Sequence, residues 1–141
     1  MKSGILGLAL MMAMFLLSGA GMSAASDRML VELNKLETVG ENCQAYMLYR
    51  NPTDVTYEKF TMEIAAFDPE GVIQKRLSVA FPPILAQKSF IWIFSFSDIS
   101  CDKIGSVLLN RFAECKVAGG KEADCLADID LGSKAGAKFY K

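Results

Sequence analysis

The stretch YEKFTMEIAAFDPEGVIQKRLSVAF, residues 57–81, decides the fold class of this chain. Apolar and polar side chains alternate through both of its halves, which is the period-2 pattern of strands with one buried face. Between the halves, Asp68-Pro69-Glu70-Gly71 places Asp, Pro and Gly at the positions that a type I turn favours. We therefore predict a β-hairpin whose strands run from Tyr57 to Phe67 and from Val72 to Phe81.

The same alternation recurs outside the hairpin, whereas helical periodicity is scarce. It predicts five further strands, at residues 28–37, 43–50, 89–96, 104–112 and 125–131. About seven short strands separated by turn residues predict an all-β fold, an immunoglobulin-like antiparallel β-sandwich, with a small barrel as the alternative. The sandwich domain is expected to span residues 26–131. Residues 132–141, which carry three Lys and two Gly, are expected to form a flexible C-terminal tail.

Residues 1–25 have the organisation of a secretory signal peptide. A short basic start precedes an uncharged apolar core from Ile5 to Leu17, and small residues follow up to Ala25. Signal peptidase needs such small residues, so cleavage is expected after Ala25, with Ala24 as the second choice. An uncleaved membrane anchor is the alternative, but it usually needs about 20 apolar residues, more than this core provides. The mature protein is therefore expected in the periplasm, with no membrane span.

Charge and histidine content exclude several classes of function. The chain has fifteen Lys and Arg residues and sixteen Asp and Glu residues. One of the basic residues, Lys2, lies in the leader. This balance, with no basic stripe, argues against nucleic acid as a partner. The chain contains no His, which removes the Ser-His-Asp triad, the Cys-His pair and imidazole metal ligands. We therefore expect no enzyme, no cofactor and no metal.

The four cysteines predict a covalent framework. An even number behind a signal peptide indicates two disulfides; the alternative metal site lacks both C-x-x-C spacing and His. Because each antiparallel strand carries the chain to the opposite end of a sandwich, strand parity places Cys43 and Cys101 at one end. Cys115 and Cys125 then lie at the other end. Bridged Cα atoms lie within about 7 Å, so parity predicts the pairs Cys43–Cys101 and Cys115–Cys125.

Two carboxylate sets allow weaker hypotheses. One is a calcium site built from strand 125–131 and its surroundings, for which a solvated strand face is the simpler interpretation. Its residues would be Asp124, Asp128 and Asp130, with Asp102 or Glu122. The other is a glycosidase-like carboxyl pair, which requires that the fold bring distant residues together. Its candidates are Glu32, Glu63 and Glu70.

The strand at 89–96 is apolar on both faces, with aromatic side chains on one side and isoleucines on the other. Such a pattern is typical of a strand that is buried on both faces, and also of one that a partner covers. The simplest interpretation of the aromatic group is core. The functional interpretation is an apolar groove or edge for a partner or lipid. The predicted partner or ligand surface is Phe90, Ile91, Trp92, Ile93 and Phe94.

The stretch from Val31 to Cys115 resembles a family of small exported proteins of unassigned function from alphaproteobacteria. It covers about two thirds of the chain. The resemblance rests on VELNKLE (31–37), CQAY (43–46), NPT (51–53), FDPEGVI (67–73), DISC (98–101) and IGSVLLN (104–110). It implies export and a β fold, and it brings no activity or ligand. Some members of the family have twin-arginine leaders, which this sequence lacks.

The leading hypothesis is a non-enzymatic periplasmic protein that acts through contact with another envelope protein. The second is a carrier of a small apolar ligand or lipid, and the third is an enzyme that uses carboxylates. A closed cavity lined by Phe90, Trp92 and Phe94 would favour the carrier. A flat exposed apolar patch would favour partner contact, and a cleft with converging carboxylates would favour the enzyme.

Overall fold

The computed structural model describes residues 27–141, so the predicted signal peptide lies outside the described residues. The described part contains nine strands and two short helical turns. A 3₁₀ turn at Cys101–Lys103 lies between the fifth and sixth strands, and the helix α1 at Cys125–Asp128 lies between the seventh and eighth. The strands are β1 (Met29–Val39), β2 (Asn42–Asn51), β3 (Tyr57–Phe67), β4 (Ile73–Phe81), β5 (Lys88–Phe96), β6 (Ser106–Val117), β7 (Lys121–Glu122), β8 (Ile129–Ser133) and β9 (Lys138–Tyr140).

The strands form two sheets that pack as a sandwich. The first sheet has the order β5-β2-β1-β8, and the second has the order β4-β3-β6-β7, with β9 also paired to β6. The prediction of an all-β sandwich is confirmed. Two pairings, β1 with β8 and β6 with β9, are parallel, so the sandwich is not purely antiparallel. The immunoglobulin-like type stays a prediction.

The hairpin predicted at residues 57–81 is confirmed as β3 and β4, paired antiparallel. The Asp68 side chain organises the turn, because its Oδ1 accepts a hydrogen bond from the backbone N–H of Val72 at 2.8 Å. Gly71 closes the turn with φ of +87°, a left-handed conformation that glycine adopts without steric cost. The turn chemistry read from the sequence therefore explains the register of the two strands.

The core lies between the sheets and is built from alternate positions of the long strands. Aromatic rings dominate one part of it: Tyr49 and Phe60 are fully buried and meet edge to face, with ring centroids 6.3 Å apart. Phe81 packs against Tyr49 at 5.0 Å. The buried core residues of the central strands include Met29, Val31, Leu33, Ala45, Met47, Tyr49, Phe60, Met62, Ile64, Val107 and Leu109.

Both disulfides join the predicted pairs. Cys43 is bonded to Cys101 with the Cα atoms 4.8 Å apart, and Cys115 is bonded to Cys125 with the Cα atoms 6.1 Å apart. The first ties the start of β2 to the 3₁₀ turn, and the second ties the end of β6 to α1. Strand parity therefore predicted both pairs correctly.

The last predicted strand, residues 125–131, is wrong at its start. Cys125–Asp128 is helical because Asp124 caps this turn: its side chain accepts a hydrogen bond from the N–H of Ala127. The strand begins only at Ile129. Asp128 and Asp130 therefore lie on different elements and do not share one strand face.

The flexible tail predicted at residues 132–141 is also corrected. Lys138–Tyr140 form β9, in which Phe139 pairs with Val107 of β6. Phe139 and Ala137 are both buried. Burial of these apolar side chains stabilises the end of the chain, an effect that the polar and glycine-rich composition conceals. No helix within residues 27–141 is long and apolar enough to cross a membrane.

Candidate interaction surface on the edge strand

The predicted surface residues all lie on β5, which is an edge strand. One side of β5 pairs with β2 from Lys88–Asn51 to Phe96–Cys43, without a register shift. The other side ends the sheet, and no strand of the described residues pairs with it. Every second residue of an edge strand presents its backbone N–H and C=O groups away from the sheet, where another strand could bind them.

The face of β5 that points away from the core carries exposed apolar side chains. The side chains of Ile91 and Ile93 are 64% and 45% exposed. Across the sheet, Ile91 pairs with Leu48 and Ile93 pairs with Tyr46 on β2. We call the surface formed by Leu30, Tyr46, Leu48, Ile91 and Ile93 the outer face. On β1, Leu30 lies opposite the exposed Arg50 of β2 and diagonal to Leu48. Contiguous apolar residues on a sheet surface are the usual mark of an interaction site.

The side chains on the core-facing side of β5 cover the edge of the core. Phe90, Trp92 and Phe94 pack against the core and remain half-buried because no strand lies beyond them. The Phe90 ring stacks on Tyr49 with centroids 4.7 Å apart, and the Trp92 ring meets Phe81 at 6.3 Å. The interpretation of this aromatic set as core is therefore correct, whereas burial of β5 on both faces is not what the structure shows.

Charged residues border the outer face. Glu32 lies between Leu48 and β8 and is only 7% exposed, and its side chain accepts a hydrogen bond from Asn34 Nδ2 at 2.7 Å. Lys35 Nζ lies 2.9 Å from the Glu37 carboxylate, which also accepts a hydrogen bond from the Tyr46 hydroxyl at 2.6 Å. The Tyr46 hydrogen bond, with help from Lys35, lowers the pKa of Glu37. Apolar centre and polar border together resemble the organisation of protein interfaces.

A pocket of about 130 Å³ opens at the outer face, lined by Asn34, Lys35, Tyr46, Met47, Leu48 and Ile91. Drug-sized ligands occupy pockets of roughly 300–1,000 Å³, so this pocket is smaller than such ligands usually occupy. Its lining joins the apolar outer face to the charged border.

The carboxylates proposed as a glycosidase-like pair are not brought together. Glu32 lies on the outward side of the first sheet, and Glu63 lies on the second sheet, where it forms an ion pair with Arg111. Glu70 lies in the turn between β3 and β4. The three side chains therefore occupy separate regions of the sandwich.

The acidic residues proposed for calcium are also dispersed. Asp124 caps α1, and Asp130 pairs with Arg28 at 2.9 Å. Asp102 lies at the 3₁₀ turn, where the Ser100 hydroxyl donates a hydrogen bond that lowers the pKa of its carboxyl group. Within residues 27–141, no three His, Cys, Asp or Glu residues lie close enough together to hold a metal ion.

One wide depression does bring carboxylates together at the end of the molecule that contains the β3–β4 turn. Its lining includes Asp68, Glu70, Asp98 and Asp102, with Lys103 beside them. Two of these groups already have partners: Asp68 accepts a hydrogen bond from the backbone N–H of Val72, and Asp102 accepts one from the Ser100 hydroxyl. A general acid needs a raised pKa, whereas that of Asp102 is lowered. Asp102 therefore does not fit the role of a general acid.

The sequence of β5 indicated the exposed isoleucines, but it gave no sign of the apolar residues that β1 and β2 add to the outer face. Leu30, Tyr46 and Leu48 occupy the solvent side of strands whose other side is core. The signal was present in β2, where CQAYMLY (43–49) is apolar at most positions of both faces. A half-buried strand should alternate more strictly than this.

No protein-family model matches the chain, and no curated protein matches it. One solved structure is similar in fold, described as the structural characterization of IrmA from Escherichia coli. The TM-score is 0.56, and the match covers 74% of this chain and 90% of that chain at 10% sequence identity. At this identity the likeness shows a shared β-sandwich fold alone.

Proposed function

We propose that this protein is exported to the periplasm and acts there without catalysis, by contacting another protein of the cell envelope through its outer face. The observation that carries the proposal is the exposure of Ile91 and Ile93 on a strand whose free edge is uncharged from Ser89 to Phe96. Exposing adjacent isoleucines to water costs free energy of about 25 cal/mol per Å² of apolar surface. Contact with a partner recovers that free energy.

The packing inside the sandwich favours contact with a partner protein over binding and transport of an apolar ligand. The side chains that would line an internal cavity, Phe90, Trp92 and Phe94, instead touch other aromatic rings. The apolar pocket on the outer face is small. An apolar ligand would therefore have to displace core side chains, whereas a protein surface can cover the outer face as it stands.

The two disulfides support the export part of the proposal. Such bonds persist in oxidising compartments and are rare in the cytosol. The leader-like residues 1–25 and the resemblance of residues 31–115 to small exported proteins point to the same route. The likeness to IrmA adds the fold and no partner.

The proposal is tested by affinity purification from envelope fractions with the mature protein and two variants. Leu48→Lys places a charge at the centre of the outer face, next to Glu32, which can pair with it, so the fold should be retained. Ser78→Lys is the matched control, because Ser78 is exposed on β4 of the other sheet. We expect one envelope protein to co-purify with the wild type and Ser78→Lys and to be lost with Leu48→Lys.

Equal recovery of that protein with Leu48→Lys would contradict the proposed surface. The same fractionation tests the compartment. The mature protein should be released with periplasmic contents and should show both disulfides before reduction. Recovery in the cytosol with four free thiols would contradict the export part of the proposal.

A further inference from the structure

The edges of the two sheets differ in how they are protected against pairing with another chain. β4 carries Lys75 and Arg76, β7 has only two residues, and both of those are charged. β8 is short, with Asp130 near its start. Charges and short length are the devices that keep sheet edges from associating. β5 has neither: it is nine residues long, pairs with β2 without a bulge, and is uncharged after Lys88.

The sequence of β5 is a palindrome. Residues 89–95 read Ser-Phe-Ile-Trp-Ile-Phe-Ser, with Trp92 at the centre. Two antiparallel copies of this strand, related by a two-fold axis at Trp92, place each residue opposite its own type. Ser89 of one copy faces Ser95 of the other, Phe90 faces Phe94, and Ile91 faces Ile93. A two-fold interface requires this kind of self-complementarity, since one patch must fit itself.

The backbone fits the same register. Along an edge strand, residues whose N–H and C=O groups point to the free edge alternate with residues whose groups point to the neighbouring strand. Two residues equally distant from Trp92 are separated by an even number of positions, so both have their backbone groups on the same side. Each free pair of groups on one copy of β5 therefore meets a free pair on the other.

We propose that β5 pairs with β5 of a second copy of this chain, antiparallel and centred on Trp92, so that the two first sheets become one continuous sheet. The aromatic side chains that the free edge leaves half-buried, Phe90, Trp92 and Phe94, then meet their counterparts on the inward side. Ile91 and Ile93 of both copies line up on the outward side, where they join the two outer faces into one surface.

This inference goes beyond the proposed function and does not depend on it. Self-association is measured on the purified protein alone, whereas the envelope partner is sought in cell fractions. A monomer that still captures an envelope protein would refute only the pairing of β5. A dimer that captures none would refute only the proposed function.

The pairing is tested by light scattering coupled to size exclusion on the purified, oxidised mature protein. The wild type should have twice the mass of one chain. The variant Ile91→Lys with Ile93→Lys puts like charges opposite one another across the two-fold axis and should have the mass of a single chain. Ile91→Lys with Ile93→Glu puts opposite charges there and should return to twice the mass.

A wild type of single mass overturns the proposal, and so does an Ile91→Lys/Ile93→Lys variant that stays dimeric. A monomeric Ile91→Lys/Ile93→Glu variant overturns the register centred on Trp92. Should the isoleucine variants fail to fold, Ser89→Lys with Ser95→Lys and Ser89→Lys with Ser95→Glu repeat the comparison at exposed polar positions. There too, only the like-charged variant should lose the doubled mass, and any other result contradicts the pairing.

Discussion

Gly105 packs directly against the backbone of Pro69: a Cβ atom at position 105 would lie 2.7 Å from the Pro69 Cα atom. The backbone N–H of Gly105 also donates a hydrogen bond to the Phe67 carbonyl at 2.8 Å. The turn between β3 and β4 is thereby held against the segment that leads into β6. This contact joins the segments FDPEGVI (67–73) and IGSVLLN (104–110).

Gly105→Ala should lower the free energy of unfolding by about 1–3 kcal/mol, because backbone atoms and not a movable side chain must give way. Urea denaturation of the oxidised protein measures the change. Gly136→Ala is the matched control, since no atom lies within 4 Å of the position that its Cβ would take. Equal stability of the two variants would show that the turn does not press on Gly105.

Asn51 is expected to be a structural residue of the NPT segment. It is buried, and its Nδ2 donates to the carbonyls of Val55 and Leu85 at 2.7 and 3.0 Å. Asn51→Asp replaces this donor by an oxygen and leaves both carbonyls unpaired, so we expect a loss of about 2–4 kcal/mol of unfolding free energy. Thermal and urea denaturation measure it, with exposed Asn110→Asp as the control. A loss no larger than that of the control would contradict the role.

Replacing Tyr49 by phenylalanine should stabilise the fold. Within residues 27–141 its buried hydroxyl has no hydrogen-bond partner, so Tyr49→Phe should raise the free energy of unfolding by about 1 kcal/mol. Tyr46→Phe should have the opposite sign, because it removes the hydrogen bond to Glu37. Equilibrium urea curves give both values, and a destabilised Tyr49→Phe protein would contradict the description of this part of the core.

The same burial predicts a pH dependence. Desolvation raises the pKa of Tyr49 well above its ordinary value, so the folded state disfavours the phenolate. The contribution of this group to the free energy of unfolding is fully present below the ordinary tyrosine pKa of about 10 and is lost as the pH rises above it. Stability measured from pH 8 to about 11 should fall less steeply for Tyr49→Phe than for the wild type. Parallel curves would contradict the shift.

The two disulfides should contribute unequally to stability. Cys43 and Cys101 are 58 residues apart, and Cys115 and Cys125 are 10 apart. In the chain-entropy view the longer loop contributes about 4 kcal/mol and the shorter about 3 kcal/mol. Cys43→Ala with Cys101→Ala should therefore destabilise more than Cys115→Ala with Cys125→Ala in urea denaturation. The reverse order would show that loop entropy does not determine the effect.

The hairpin at residues 57–81 and the disulfide pairs could be predicted because turn chemistry and the number of strands between the cysteines decide them. Turn chemistry at Asp68 and Gly71 sets the hairpin, and strand parity sets the cysteine pairs. α1 was missed because one capping side chain, Asp124, outweighs the alternation of residues 125–131. β9 was missed because its strand partner, β6, lies far from it in the chain: Phe139 pairs with Val107, 32 residues earlier.

The candidate surface could be predicted only in part. The doubly apolar sequence of β5 identified Ile91 and Ile93, but periodicity alone does not distinguish an edge strand from a central one. The position of β5 at the end of its sheet depends on the order of all the strands. For the same reason Leu30, Tyr46 and Leu48 could be assigned to this surface only after the sheet was known.

Site-specific photo-cross-linking in intact cells tests the central claim, contact of the outer face with another envelope protein, most directly. A photoreactive residue is introduced at Leu48, away from the β5 edge, and at Ser78 on the second sheet as the control. We predict an adduct with a different envelope protein from position 48 and none from position 78. No adduct at position 48 beyond that at position 78 would contradict the account.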